Sequence, residues 1–176
     1  MTDKEKKKDL IEWIMVFVIA IGAAVILNGF IVVNARIPSA SMENTIMIGD
    51  RVFGNRLIYN KEDPMRGDIV IFKFPDDESQ LFIKRIIGLP GDTVVIKDGK
   101  VYLNDDETAL DESSYINGEP YGDFGPFEVP ENAYFVMGDN RNNSYDARYW
   151  NNTFVYRDKI LGKAFVRYFP NPSFIK

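Results

Sequence analysis

From Trp13 to Val33 the chain carries no charged residue, and Asn28 is the only strongly polar side chain in the run. About 21 residues without charge is close to the ~20 that a helix needs to cross ~30 Å of hydrocarbon. Glu12 and Trp13 open the run, where an indole ring sits comfortably at a membrane interface. Lys4, Lys6, Lys7 and Lys8 precede it. On the far side only Arg36 follows closely, and the next basic residue is Arg51. An excess of lysine before the span predicts a cytoplasmic N-terminus with everything after the span outside. A cleavable leader is the rival reading, and Val33-Asn34-Ala35 resembles a small-residue cleavage site. The run, however, exceeds the ~7–15 apolar residues of a leader's central region. A buried core helix is disfavoured, because little sequence is left to cover it. The expected division is a cytoplasmic 1–9, a transmembrane helix at 10–33 and an extracytoplasmic domain at 34–176.

That remainder is long enough for one domain. Hydrophobic residues make up 45% of the 176-residue chain and charged residues 27%, which predicts a globular body. The net charge of −5 argues against a nucleic-acid partner. There is no cysteine, so no disulfide supports the fold.

Residues 34–176 read as mainly β. Arg51–Leu57, Asp68–Phe74, Gln80–Gly88, Thr93–Lys97, Lys100–Asn104, Ala133–Gly138 and Lys159–Phe169 are rich in Val, Ile, Phe and Tyr, and Gly, Pro, Asn and Asp separate them. Asp98-Gly99 between two such runs predicts a hairpin, because both residues tolerate positive φ. Asp105–Gly125 is acidic and glycine-bearing, and reads as an irregular surface excursion. The expected fold class is a mainly β, antiparallel domain tethered by one N-terminal transmembrane helix.

The chain also lacks histidine. That removes a Ser-His-Asp triad, a Cys-His dyad and an ordinary zinc site. A covalent hydrolase built from this composition needs another base, and a lysine held neutral by apolar surroundings is the available choice. Ser41 lies in Ile37-Pro38-Ser39-Ala40-Ser41-Met42-Glu43, just past the apolar run. Taken alone it is an ordinary turn serine. Met42, Ile46, Met47 and Ile48 would let its loop lie on an apolar surface, and Ser39 could aim a hydroxyl at an oxyanion beside the Ser41 N–H. Lys84 lies in Phe82-Ile83-Lys84-Arg85-Ile86 and shares a strand face with Phe82 and Ile86. A lysine snorkelling at a strand edge is the plainer reading. Desolvation on that apolar face would lower its pKa and make it a usable base.

A third segment, Gly138-Asp139-Asn140 with Ser144, Asp146 and Arg148, ends a strand in a dense polar turn. Pro38-Ser39-Ala40-Ser41-Met42, Arg66-Gly67-Asp68-Ile69-Val70-Ile71-Phe72, Lys84-Arg85-Ile86-Ile87-Gly88-Leu89-Pro90-Gly91-Asp92 and this third segment occur in the order found in type I (leader) signal peptidases. Behind an N-in anchor, the chain resembles that bacterial family from the anchor to near its C-terminus. With no second apolar span and no large insertion, it is similar to the compact Gram-positive type.

The resemblance implies a membrane-anchored serine endopeptidase with a signal-peptidase-like β fold. Ser41 is the implied nucleophile and Lys84 the general base. Ser144 orients the Lys84 amine, and Ser39 with Ser41 forms the oxyanion hole. Asp139 with Arg85, and Asp146 with Arg148, are the implied structural ion pairs near the site. No metal or other cofactor is implied. The implied substrates are secreted preproteins, cut after the small residues of an Ala-x-Ala-like site. The enzyme is expected to be a monomer in contact with membrane lipid, single-pass in the bacterial cell membrane with its catalytic domain extracytoplasmic. Phe169, Phe174 and the residues around Met42–Ile48 are the candidates for touching lipid.

Two positions depart from the family. Asn44 stands where proline is common, and proline would have fixed φ, so a looser nucleophile loop is expected. Ala147 stands where serine is common. The alternatives are a catalytically silent, membrane-tethered scaffold, a peptidase with one dedicated substrate, and self-cleavage at Ala35. Self-cleaving repressors share the Ser/Lys logic, but they carry a DNA-binding module that this chain does not show.

Overall fold

The computed structural model describes residues 3–175 except 117, and the side chains of 1–6 and 28 lie outside the described residues. Part of the expected cytoplasmic 1–9, including the side chains of Lys4 and Lys6, and the side chain of Asn28 therefore fall outside it. Helix α1 spans Asp3–Ile26 and closes in a π-helical turn at Leu27–Ile31. The stretch Lys7–Ile31 is long and apolar enough to cross a membrane by length and composition. Trp13, Phe17 and Ile19 are exposed along it, so the helix buries no apolar stripe of its own against protein. The helical path ends two residues before the apolar run does. Val32 and Val33 already belong to a strand.

That strand, β1 (Val32–Arg36), pairs antiparallel along its whole length with β2 (Arg51–Asn55). The next elements are β3 (Ile69–Phe74), β4 (Asp77–Gly88), β5 (Thr93–Lys97), β6 (Lys100–Leu103), β7 (Phe124–Glu128), β8 (Ala133–Met137), β9 (Val155–Tyr156), β10 (Ile160–Phe169) and β11 (Ser173–Phe174). The larger sheet runs β1-β2-β10-β3-β4-β8-β9, with β11 also on β10, and the smaller runs β6-β5-β7. Every pairing is antiparallel. The expected mainly β, antiparallel class with one N-terminal apolar helix is what the structure has.

Strand β3 explains why its sequence, Ile-Val-Ile-Phe-Lys-Phe, does not alternate. It lies between β10 and β4, and both of its faces are covered. Val70 and Phe72 enter one core with Ile86, Phe135 and Trp150. Ile69 and Ile71 enter a second core with Val33, Ile37, Met42, Ile46, Val52 and Ile83. The second core seats the Ser41 loop. Met42 and Ile46 are wholly buried there, each contributing about 2 kcal/mol of transfer free energy. This corrects the expectation that Met42 and Ile46 face lipid: within 42–48 only Met47 and Ile48 remain as exposed large apolar side chains. Phe169 and Phe174 are exposed, Phe174 to 80%.

The Asp98-Gly99 turn has φ of 48° and 74°, as a two-residue hairpin turn requires. Asp105–Gly125 was expected to be irregular throughout, but its last residues open β7. Strand β7 is an edge strand containing Gly125 and Pro126, residues that sheets tolerate at an edge.

Candidate active site

Ser41 sits on the loop between β1 and β2. The loop neck is closed by Ile37 N donating to Asp50 O at 3.0 Å, Gly49 N to Ile37 O at 2.9 Å and Met47 N to the Asp50 carboxylate at 2.9 Å. Inside it, Glu43 N donates to Ala40 O at 3.0 Å and Ile46 N to Met42 O at 2.8 Å. These bonds, with Met42 and Ile46 as apolar plugs, fix the serine against the sheet.

Lys84 comes from the middle of β4, 43 residues away. Its Nζ is hydrogen-bonded to Ser41 Oγ at 2.7 Å and donates to Ile83 O at 3.1 Å. Only 3% of Lys84 is exposed, and the amine stands 5.3 Å from the centre of the Phe82 ring. Burial lowers the amine pKa from 10.5 to about 8, against the opposing pull of the Asp146 and Asp139 charges. At pH 7 that makes roughly one amine in ten neutral, where an ordinary lysine offers roughly one in a few thousand.

The cleft beside this pair has a volume of about 410 Å³. One wall is Ala35 to Ser41 and the other is Gln80 to Lys84, with Ile71, Asn143 and Tyr145 completing it. Strand β8 registers with β4 only from Arg85 to Gly88, so β8 covers none of the Gln80–Lys84 backbone. The arrangement offers a nucleophile, an adjacent low-pKa amine and a free strand edge in one apolar groove. Ser39 Oγ lies 3.4 Å from Ser41 Oγ at the open end. Among the described residues no cluster of three or more carboxylates is placed to hold a metal ion.

The turn after β8 clamps the serine loop from the other side. Asn140 N donates to Ser41 O at 3.1 Å, and Asn140 Nδ2 donates to Ala40 O at 3.1 Å and to the Glu43 carboxylate at 3.3 Å. Thr45 Oγ1 donates to Asp139. Gly138 makes the approach possible: a Cβ there would stand 2.2 Å from Ser144 Oγ and 2.3 Å from Ser41 O. Neither Asn140 nor Thr45 had been given a role from the sequence. The signal was present in the Gly-Asp-Asn run, but nothing in a single chain says which backbone it grips.

Both expected ion pairs form. Arg85 forks onto Asp139 with two bonds of 2.8 Å, and Arg148 donates to Asp146 at 2.8 and 2.9 Å. All four side chains are buried, and Asp146 also accepts from Gly138 N at 3.0 Å. Ser144 behaves differently from the expectation. Its buried Oγ has no hydrogen-bond partner among the described residues, and Lys84 Nζ spends its bonds on Ser41 and Ile83. Ala147 is buried in the main core, where a serine hydroxyl would need a partner.

Asn44 also corrects an expectation. Its φ is 93°, which asparagine tolerates and proline, fixed near −65°, cannot reach. With the loop held by the bonds above, asparagine fits this backbone rather than loosening it.

Residues 10–169 match the family described as signal peptidase, peptidase S26. The chain is 46% identical over 160 residues to a probable signal peptidase I-2 of Synechocystis sp. (strain ATCC 27184 / PCC 6803 / Kazusa), covering 88% of this chain and 71% of that one. It is 37% identical over 168 residues to a signal peptidase I of Leptolyngbya laminosa, covering 92% and 80%. It is 35% identical over 173 residues to a signal peptidase I P of Bacillus subtilis subsp. natto, covering 94% and 92%.

Proposed function

This chain belongs to the signal peptidase family, peptidase S26, a serine peptidase that removes signal peptides from preproteins, and on that premise we propose how its residues perform the cut. The observation that carries the proposal is the 2.7 Å contact between Ser41 Oγ and the buried Lys84 amine.

A signal peptide enters the groove extended, adding a strand between Gln80–Lys84 and Ile37–Ser41. Ile37, Ile71 and Ile83 wall shallow apolar pockets that accept small side chains at the first and third positions before the cut. Neutral Lys84 takes the Ser41 hydroxyl proton as Oγ attacks the scissile carbonyl carbon. The Ser41 N–H and the Ser39 hydroxyl hold the oxyanion. The tetrahedral intermediate collapses, the C–N bond breaks, and the Lys84 ammonium gives its proton to the leaving amine. A water then loses a proton to Lys84 and attacks the Ser41 ester. The C–O bond to Ser41 breaks, and Lys84 returns the proton to Oγ.

A hydrogen count supports a role for Ser144. A neutral amine has two N–H groups and one lone pair. In the neutral state of this mechanism the lone pair turns to the Ser41 hydroxyl, 2.7 Å away, and one N–H serves Ile83 O. The other N–H is left for the unpartnered Ser144 hydroxyl, which orients the ammonium once Ser41 has surrendered its proton. The apolar helix anchors the enzyme beside its membrane-borne substrates, with the N-terminus cytoplasmic, the β domain outside and the enzyme monomeric. A shared bilayer raises the effective concentration of the two.

The test is cleavage of a preprotein with an Ala-x-Ala site by detergent-solubilised wild type, Ser41→Ala and Lys84→Ala. Wild type should cut after the small residue while both variants, still folded, do not. Full processing by Lys84→Ala would remove Lys84 as the base.

A further inference from the structure

The acidic excursion between β6 and β7 buries one of its carboxylates. Asp105, Asp106, Glu107 and Asp111 are exposed, but only 8% of Glu112 is. Glu112 receives a two-pronged bond from Arg141, with Nη1 at 2.8 Å and Nη2 at 2.5 Å, and Arg141 is itself only 3% exposed. Three residues on, the Tyr115 hydroxyl donates to the same carboxylate at 2.8 Å. The Tyr115 ring lies 4.1 Å from the guanidinium carbon of Arg85, the arginine that forks onto Asp139. Both arginines lead to the turn that clamps the nucleophile. Arg141 Nε donates to Gly138 O at 3.1 Å, and Asp139 is flanked by Gly138 and by Asn140, whose N–H holds Ser41 O.

We propose that Glu112 and Tyr115 are positioning residues for the peptidase. They form a strap from the excursion that fixes Arg141 and Arg85, and through them the Gly138–Asn140 turn on which the Ser41 loop is seated. Three physical reasons support this. A buried ion pair does little for stability compared with an apolar pair of the same shape, because desolvation offsets its attraction. What a forked guanidinium–carboxylate pair supplies is orientation. The ring beneath Arg85 adds a second, independent constraint, since a cation over an aromatic face is held in place. Arg141 ends on the Gly138 carbonyl and Arg85 on the Asp139 carboxylate, two neighbouring residues of one turn, where Gly138 already leaves no room for a Cβ. A small displacement there moves Ser41 relative to Lys84, and displacements of about 1 Å at a reacting centre cost about 100-fold in rate.

The proposal rests on the peptidase reading of Ser41 and Lys84, and the experiment separates the two. Full-length wild type, Ser41→Ala, Glu112→Gln, Tyr115→Phe and Tyr115→Leu are compared for kcat, KM and melting temperature on one Ala-x-Ala preprotein, assayed well below every melting transition. Cleavage by wild type and none by Ser41→Ala upholds the peptidase reading whatever the strap variants do. Glu112→Gln is expected to lower kcat about 10- to 100-fold with KM unchanged within about 2-fold. Tyr115→Leu should fall in the same way, and Tyr115→Phe, which keeps the ring on Arg85, should stay within about 3-fold of wild type. A lowered melting temperature with unchanged kcat in both Glu112→Gln and Tyr115→Leu would make the strap purely structural and overturn the proposal. A raised KM with unchanged kcat would overturn it too, because the excursion would then be binding substrate rather than seating Ser41.

Discussion

Lys84 and Arg85 are adjacent on β4, both are buried, and the protein treats their charges in opposite ways. Arg85 is given Asp139, a second acceptor in Gly67 O and the Tyr115 ring, so its charge is kept and used to fix the turn after β8. Lys84 is given a serine hydroxyl, one carbonyl and the Phe82 ring, and among the described residues it forms no ion pair with a carboxylate. Desolvation then favours its neutral form. One position needs a permanent cation and the other a group that releases its proton near neutral pH. The same depth of burial yields either, and the neighbouring carboxylates decide which. Arginine suits the first site because it stays protonated and forks, and lysine suits the second because its pKa moves.

The sharpest way to break the contrast is to remove the titrating amine. Lys84→Met keeps the stem in its apolar setting. It should cost about 10⁴-fold or more in kcat, as loss of a base that acts as a unit with its nucleophile does. The same variant should be more stable than wild type by about 3 kcal/mol at pH 7, because a depressed lysine pKa is a folding penalty. The sign follows from linkage. The folded pKa of about 8 lies below the unfolded 10.5, so the penalty is full below pH 8 and relieved as pH rises towards 10.5. Denaturant melts at pH 7 and pH 10 should show the gap between the two proteins narrowing. An equal gap at both would place the cost elsewhere.

On the other side of the contrast, Asp139→Leu leaves Arg85 buried without its carboxylate and removes the acceptor of Thr45. A loss of about 3–5 kcal/mol in stability is expected. The double variant Asp139→Leu/Arg85→Met should recover part of that loss, since no uncompensated charge remains. No recovery would mean that the pair's hydrogen bonds, not its charge balance, set the cost.

Asn44→Pro tests the backbone rather than the charges. A residue held at φ 93° cannot be proline, so the Ser41 loop should be destabilised by about 3 kcal/mol and activity lost with it. Asn44→Gly should cost less than about 1 kcal/mol. Thermal melts of the two variants rank them, and a proline variant as stable as wild type would show that the loop has a second acceptable path.

Much of this molecule is legible in its sequence, for reasons particular residues make plain. Thr93–Lys97 is found where its Val and Ile content places it, and Asp98-Gly99 turns as that dipeptide does. Strand β1 is not legible, because Val32 and Val33 continue an uncharged run with no change of composition to mark where helix ends and sheet begins. Strand β7 is hidden by Gly125 and Pro126, which signal a break everywhere except at an edge. The pairing of Ser41 with Lys84 could be anticipated from what the chain lacks, since without histidine few bases remain. Their settings could not. Ser144 without a hydrogen-bond partner among the described residues, Asn140 on the Ser41 carbonyl and the backbone that suits Asn44 all depend on where a distant segment arrives. Glu112 is the plainest case: in sequence it is one acid among many in a polar stretch, and only the arrival of Arg141 distinguishes it.

The smallest effect is also the most direct reading of the contrast between the two cations. If Lys84 is the titrating base, kcat/KM should follow the neutral fraction of Lys84 on its acid limb. With a pKa of about 8, that fraction rises from roughly one tenth at pH 7 to roughly nine tenths at pH 9, so the rate should rise about 10-fold and then level. Removing one of the charges that pull the amine pKa upward should slide the limb. Asp146→Asn keeps the shape of the side chain and deletes the charge with the larger pull. The limb should therefore move to lower pH, even where the plateau drops because Arg148 has lost its ion-pair partner. A limb that stays in place would show that the group titrating in the profile is not Lys84.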